Sequence, residues 1–399
     1  MKQQPENLFA SRRSSDKTPF LQDRNKRSIF YQVAVIFMVG ALGYYLISNT
    51  LSNLDRQAIA TGFGFLSKEA SFEIGETPIA YSAADPYARA LLVGVLNTLK
   101  VSFVGIILTV LLGTMIGVAR LSTNWLIARS AAVYIEVFQD IPVLLQLFFW
   151  YAFFYEILPN PRKALNPVDG VFLCNRGLVM AIPAEHPVWP AMTIAFVSAV
   201  IGMFLFRYWA RRRQASTGRS LPLFWISLGM TLGAPLITWL FYGAPTKMNM
   251  PQLTGFNFKG GVTISPEFAA LLFGLVLYTS AFVAEIVRAG IQSVAKGQTE
   301  AAMAIGLRPN LVLNLVVLPQ ALRVIIPPLT SQMMNLTKNS SLAVAIGYPD
   351  FVSVANTTIN QTGQAIEGVA LIMAVYLFLS LLTSVFMNWY NKKMALAER

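Results

Sequence analysis

The chain has 399 residues, 55% of them hydrophobic and only 13% charged, about half the charged share of a typical soluble domain. Its balance is basic, 31 Lys and Arg against 19 Asp and Glu, for a net charge of +12. A single cysteine, Cys174, excludes an internal disulfide, a single histidine, His186, excludes a His/Cys metal cluster, and the absence of any Gly-Lys dipeptide excludes a P-loop.

Apolar runs near the roughly 20 residues that cross a bilayer core divide the chain into eight expected spans. They cover 29–48, 91–118, 131–157, 188–206, 222–242, 267–287, 326–345 and 368–389. The first comes after a polar tail, 1–28, that holds Lys2, Arg12, Arg13, Lys17, Arg24, Lys26 and Arg27. No small-residue cleavage pattern is found after Ser48, so the segment reads as a retained signal anchor. Counted over alternate connections, 21 Lys and Arg fall on the side of the N-terminus and 8 on the other. Both termini are therefore expected in the cytoplasm. The same placement, between apolar runs instead of on one soluble face, argues for a lipid bilayer and against nucleic acid as the partner of the positive charge. Arg211, Arg212 and Arg213 read as a topology anchor.

In the second span Gly105, Thr109, Gly113 and Gly117 recur every four residues, a small-residue stripe along which two helices can approach closely in lipid. The third holds Asp140, an acid in apolar surroundings that reads either as functional or as a solvated helix end. Its aromatic run from Phe148 to Tyr155 reads as packing and interface anchoring. On the sixth span Glu285 and Arg288 stand three residues apart, a spacing for pairing in a structural or gating role.

The connection between the sixth and seventh spans differs from the others. It reads Glu300-Ala301-Ala302-Met303-Ala304-Ile305-Gly306, then nine residues, then Val316-Val317-Leu318-Pro319. Alanine is the best helix former, glycine ends a helix in a left-handed turn, and proline ends or kinks the helix it enters. A short projecting helix is expected, of a kind that a partner's groove can accept. The seventh span then places Ser331, Asn335, Lys338 and Asn339 on one helical face, which in a bilayer has to look at protein or water. Lys338 can meet a substrate carboxylate, lie near an interface, or neutralise an acid such as Glu285.

Glu-Ala-Ala, three residues, Gly, nine residues, then Ile-x-Leu-Pro is the signature of the permease subunits of bacterial ABC importers, matched here with Val316 in place of Ile. The surroundings resemble the polar amino-acid permeases: Asn97 to Ser102, Val133 to Phe138, Pro142 to Phe149, Tyr278 to Arg288, Leu318 to Arg323 and Lys338 to Leu342 all fall in order. The enlarged layout is similar to that of the general L-amino-acid and glutamate/glutamine/aspartate/asparagine permeases. At Gln139-Asp140-Ile141-Pro142 the chain departs from the Arg-Gly-Thr-Pro common in that family, so no substrate role is carried over there.

The resemblance implies an all-α polytopic membrane bundle of about eight spans. Its parts are a cytoplasmic tail (1–28), a first span with an external segment (29–88), permease core (89–157), an insertion with two extra spans (158–266), further core with the coupling helix (267–392) and a C-terminal tail (393–399). It implies an inner-membrane subunit that carries L-amino acids and is itself no enzyme. It implies ATP and Mg in two partner ATPase subunits, a groove of which takes the Glu300–Gly306 helix, with Glu300, Ala301, Ala302, Gly306, Leu318 and Pro319 as the coupling residues. A second permease and a periplasmic binding protein are the other implied partners. Asp140, Gln146, Ser331, Asn335, Lys338 and Asn339 are the substrate-path candidates. The alternative, an ion- or proton-coupled secondary transporter, is expected to show internal repeats and midplane acids, and it leaves the Glu-Ala-Ala loop unexplained.

Overall fold

A computed structural model describes residues 24–56, 61–218 and 221–394. The expected tails at 1–28 and 393–399 lie, but for 24–28 and 393–394, outside the described residues. Helix α1 (Arg24–Arg56) is apolar, with none of its hydrophobic window buried by the rest of the chain. Helix α2 (Tyr87–Ala119) is as long as α1, and its small-residue stripe lies on its buried side. Among the described residues seven helices are long and apolar enough to cross a membrane, or eight when a sharply bent pair is taken as one.

That pair corrects the expected third span. Instead of one helix over 131–157 there are two, α3 (Trp125–Asp140) and α4 (Val143–Ala152), bent by 101° where they meet. Proline is the cause: Pro142 has no N–H to continue the ladder, and the residue before it, Ile141, is forced extended at φ −87°, ψ 124°. The break frees a carbonyl of α3, and the buried Gln146 meets it together with one in the bend. Its Nε2 donates to Phe138 O at 3.1 Å and to Ile141 O at 2.9 Å.

The insertion begins with three short strands, β1 (Leu165–Val168), β2 (Val171–Cys174) and β3 (Gly177–Met180), and a two-residue strand β4 (Ile182–Pro183). Two apolar helices come next, α5 (Val188–Thr217) and α6 (Leu223–Phe241), packed on each other. The chain returns through β5 (Met248–Asn249), β6 (Gln252–Thr254), β7 (Asn257–Lys259) and β8 (Val262–Ile264). Strand β8 pairs antiparallel with β3, completing a sheet of order β1-β2-β3-β8. This pairing brings the end of the insertion back beside its beginning and aims the chain directly into the next core helix.

That helix is α7 (Pro266–Gln292), capped by the Ser265 hydroxyl, which accepts from Phe268 N at 3.0 Å. After it come α8 (Lys296–Ala304), a single turn α9 (Pro309–Val312), α10 (Leu318–Asn339), α11 (Phe351–Thr362) and α12 (Ala365–Met394). The expected seventh span, 326–345, thus starts earlier, and its last residues form a 3-10 helix over Ser340–Ile346.

The core is built around α2 and α7. A Cβ on Gly113 falls 2.6 Å from Val283 Cβ and 2.9 Å from Ser280 O; one on Gly117 falls 2.6 Å from Ala284 O. Gly105 faces Leu336 of α10, and Thr109 between them is fully buried. Lipid supplies no hydrophobic drive for helix association, so this backbone-level contact supplies dispersion instead. Gly113→Leu is expected to force the two helices apart, at a cost of about 1–3 kcal/mol or more. Thermal unfolding of the detergent-solubilised protein checks it: the midpoint should fall for Gly113→Leu but not for Gly229→Leu, where nothing lies within 4 Å of the new Cβ.

Candidate functional site

The loop between α7 and α10 is assembled from local rules. Helix α8 ends in a Schellman motif: Gly306 N–H donates to Met303 O at 2.9 Å and Leu307 N–H to Ala302 O at 3.2 Å, with Gly306 at φ +85°. Ala302 is buried inward, whereas Glu300, Ala301, Met303, Ala304 and Ile305 are exposed. Ile305 is 79% exposed, unusually high for an isoleucine, and Leu311, Leu315 and Leu318 add apolar surface beside it. A π turn over Leu313–Val317 precedes α10. It lies where Pro319 has no N–H to give and its ring crowds the carbonyl of Leu315, so the turn widens instead of breaking.

The roots of the loop are held together. Gly290, near the end of α7, lies so close to Ile325 of α10 that a Cβ there overlaps the Ile325 side chain and comes within 3.3 Å of Ala321 O. Ala321 and Ile325 are buried in the same cluster as Val283, Val287 and Met333. Nearby, Arg288 Nε donates to Glu285 Oε2 at 2.9 Å, a second bond joins the same two side chains, and Arg288 Nη1 reaches Gln292 Oε1 at 2.5 Å. Glu285 is therefore served by Arg288, and Lys338 is not its partner.

The polar face of α10 divides. Ser331, Asn335 and Lys338 are exposed in the single chain, and Asn339 is half-buried. Lys338 borders a hollow of about 430 Å3 with Ser341, Val352 and Tyr376. Asp140, the last residue of α3, is exposed and separate from that hollow. Gln146 is buried, its amide nitrogen committed to Phe138 O and Ile141 O.

Residues 206–396 match the family described as "Binding-protein-dependent transport system inner membrane component". The chain is 48% identical over 379 residues to the general L-amino acid transport system permease protein AapQ of Rhizobium johnstonii, with 95% of each chain covered. It is 47% identical to the putative amino-acid ABC transporter permease protein YhdX of Escherichia coli, over 93% of this chain and 94% of that one. This chain belongs to the permease subunits of amino-acid ABC transporters. A further relative of the permease is the glutamate/glutamine/aspartate/asparagine transport system permease protein BztB of Rhodobacter capsulatus, 41% identical over 95% of this chain and 96% of that one.

At the end of the permease opposite α8 lies a polar network that sequence patterning does not announce. Asn97 of α2, fully buried, donates through Nδ2 to Glu76 O and Pro349 O, both at 2.9 Å. Its neighbour Thr98 accepts from Phe351 N at 3.0 Å, and Gly94 makes room for the α11 backbone, 2.9 Å from where its Cβ would be. Lys100 pairs with Glu76 at 3.0 Å and sits 4.4 Å from the Phe268 ring centre, while Ser265 bonds the other Glu76 oxygen. Asp350 caps α11, accepting from Val352 N at 3.2 Å and Ser353 N at 2.9 Å. Part of the signal is in the chain: Asn97 and Thr98 open a stretch shared with the family, but polarity alone does not say what a buried amide holds.

Burial pushes the Asp350 carboxyl up from 3.8 to about 6, against the opposing pull of the two backbone N–H groups and Tyr376. Between those values the folded protein holds a proton that the unfolded chain has released. The contribution to stability is full below pH 3.8 and is lost as pH rises through about 6. At neutral pH the loss is on the order of 3 kcal/mol. Asp350→Asn keeps the cap and cannot ionise. Thermal unfolding between pH 4 and 7.5 should therefore fall with pH in the parent protein and flatten in the variant; parallel curves refute the assignment.

Proposed function

We propose that this permease carries L-amino acids, polar ones among them, inward across the bacterial inner membrane, driven by ATP hydrolysis in two separate ATPase subunits. ATP and Mg2+ are held by those subunits. A second, homologous permease completes the pathway, and a periplasmic binding protein delivers the cargo. The α8 end and both termini face the cytoplasm, the assignment favoured by the 21-to-8 distribution of Lys and Arg.

The carrying observation is the loop from Lys296 to Leu318. Its exposed apolar residues, Met303, Ile305 and Leu311, offer a partner groove a surface of the helix-in-groove kind. Ala301 keeps the helix slim, Ala302 anchors it to the permease, and Glu300 lies on the exposed side. Gly306 fixes the angle at which the helix leaves, and Leu318 and Pro319 begin the helix that receives the motion. Because Gly290 clamps α7 to α10, a push on α8 moves both helices as one body. The carboxylates and ammonium groups of the cargo pass the exposed face of Ser331, Asn335 and Lys338, with Asn339 at its edge and Asp140 at the α3–α4 bend.

The test is Gly306→Asp. A side chain meets no steric obstacle at this position, so the substitution acts through its left-handed backbone and through added charge. In proteoliposomes holding the complete transporter, amino-acid uptake should fall at least tenfold while membrane insertion is unchanged and ATP hydrolysis continues. Uptake at the parent rate overturns the coupling role.

A further inference from the structure

A second polar site lies outside the core, where the insertion meets α7. The turn between β2 and β3 holds only Asn175 and Arg176, since Cys174 pairs directly with Gly177. It is seated firmly. Asn175 N–H donates to Pro159 O at 2.8 Å, Cys174 Sγ reaches Gly177 O at 3.6 Å, and Gly177, at φ +112°, lies against Ile264 O so closely that no side chain fits. Turn and helix α7 therefore keep a fixed relation through β8 and Ser265.

Between them is a cavity of about 350 Å3. Arg176 and Asn175 line it from the turn, Glu267 from the first turn of α7, Asn257 from β7, Thr263 from β8 and Tyr155 from the helical turn that follows α4. Among the described residues no carboxylate lies within 4 Å of the Arg176 guanidinium, and Glu267 meets only the Tyr151 hydroxyl at 3.4 Å. A cation and an anion thus face one cavity without pairing with each other. In the same turn the Asn175 side-chain oxygen is buried without a hydrogen-bond partner among the described residues.

This donor set has a matching ligand class. A guanidinium takes a carboxylate in two parallel bonds, and a carboxylate takes an ammonium. A zwitterion carrying both at one carbon satisfies the two charges together, and the amides of Asn175 and Asn257 remain for a polar side chain. The volume suits a small molecule of this kind. We propose that this cavity is an accessory binding site for free L-amino acids at the mouth of the permease, distinct from the α10 face. The inference rests on the proposal that the permease carries amino acids.

The experiment uses the complete transporter in lipid nanodiscs, without the binding protein, and L-glutamine as the probe. Hydrogen–deuterium exchange is monitored over Cys174–Gly177 and Ser265–Phe268. L-Glutamine should slow exchange in both segments, with half-saturation shifted at least tenfold in Arg176→Gln and in Glu267→Gln. N-acetyl-L-glutamine, which lacks the ammonium, and L-glutamine methyl ester, which lacks the carboxylate, should give no protection. Exchange of the ligand-free hairpin, measured in each variant, shows that the turn is still folded. Absence of protection at millimolar L-glutamine, equal protection by the blocked ligands, or an unshifted Arg176→Gln titration overturns the site. ATP-driven glutamine uptake with the binding protein restored separates the two readings. Uptake without protection sinks the accessory site alone, whereas lack of uptake sinks the assignment of glutamine as cargo.

Discussion

Helices α2 and α7 meet backbone to backbone, and most of the architecture depends on that approach. In a bilayer the tails surrounding a helix are as apolar as its side chains, so only closer packing than lipid can offer holds two helices together. Gly113 and Gly117 permit it on one side, and Ser280, Val283, Ala284 and Val287 fill it on the other. Once α7 is fixed, its two ends set the positions of everything else. One end receives the insertion's last strand through Ser265, and the other is clamped through Gly290 to α10. Helix α7 is therefore a strut between the α8 loop and the polar end around Asn97 and Glu76.

The polar end shows how a membrane bundle tolerates charge. Lys100 stands on a predominantly apolar helix, and its ammonium is compensated twice, by Glu76 and by the Phe268 ring. The segment over 61–86 is held against α2 by apolar packing of Phe65, Ala70 and Ile74 on Tyr87, Ala90, Leu91 and Val93, and by its backbone carbonyl at Glu76, gripped by Asn97. Because Asn97 also holds Pro349 O, one buried amide joins the segment before α2 to the segment before α11. Such a network is costly to leave half-made, and the side-chain oxygen of Asn97 already lacks a partner. The two segments are therefore tied to each other through α2.

Much of this was legible in the sequence, for reasons that differ from element to element. The spans declare themselves because lipid demands long apolar runs, and the stripe at Gly105, Thr109, Gly113 and Gly117 because small residues at helical spacing have few other uses in lipid. The break at Pro142 was written in the chain as well. Hydropathy runs on across it, and averaging over a window hides the one residue that cannot donate. The strands of the insertion were not legible: none exceeds four residues, and β3 finds its partner β8 only after some eighty intervening residues. Gln146 shows the limit of reading polarity as function, since its amide nitrogen serves the very carbonyl that the proline leaves free.

The insertion raises a question of economy that its attachment answers. Helices α5 and α6 pack mainly on each other and present apolar faces outward, with Phe204, Leu205, Leu236 and Phe241 all exposed in the single chain. A pair of spans so weakly joined to α2 and α7 cannot transmit the motion of the loop, and it leaves the order and direction of the core helices unchanged. What the insertion does join tightly is the sheet, through β3 and β8, to the first residue of α7. A pair of helices that returns the chain to the side it left serves to hold that sheet in place at the membrane surface. The insertion therefore meets the core where its strands reach α7, beside Arg176 and Glu267, and not through its two additional spans.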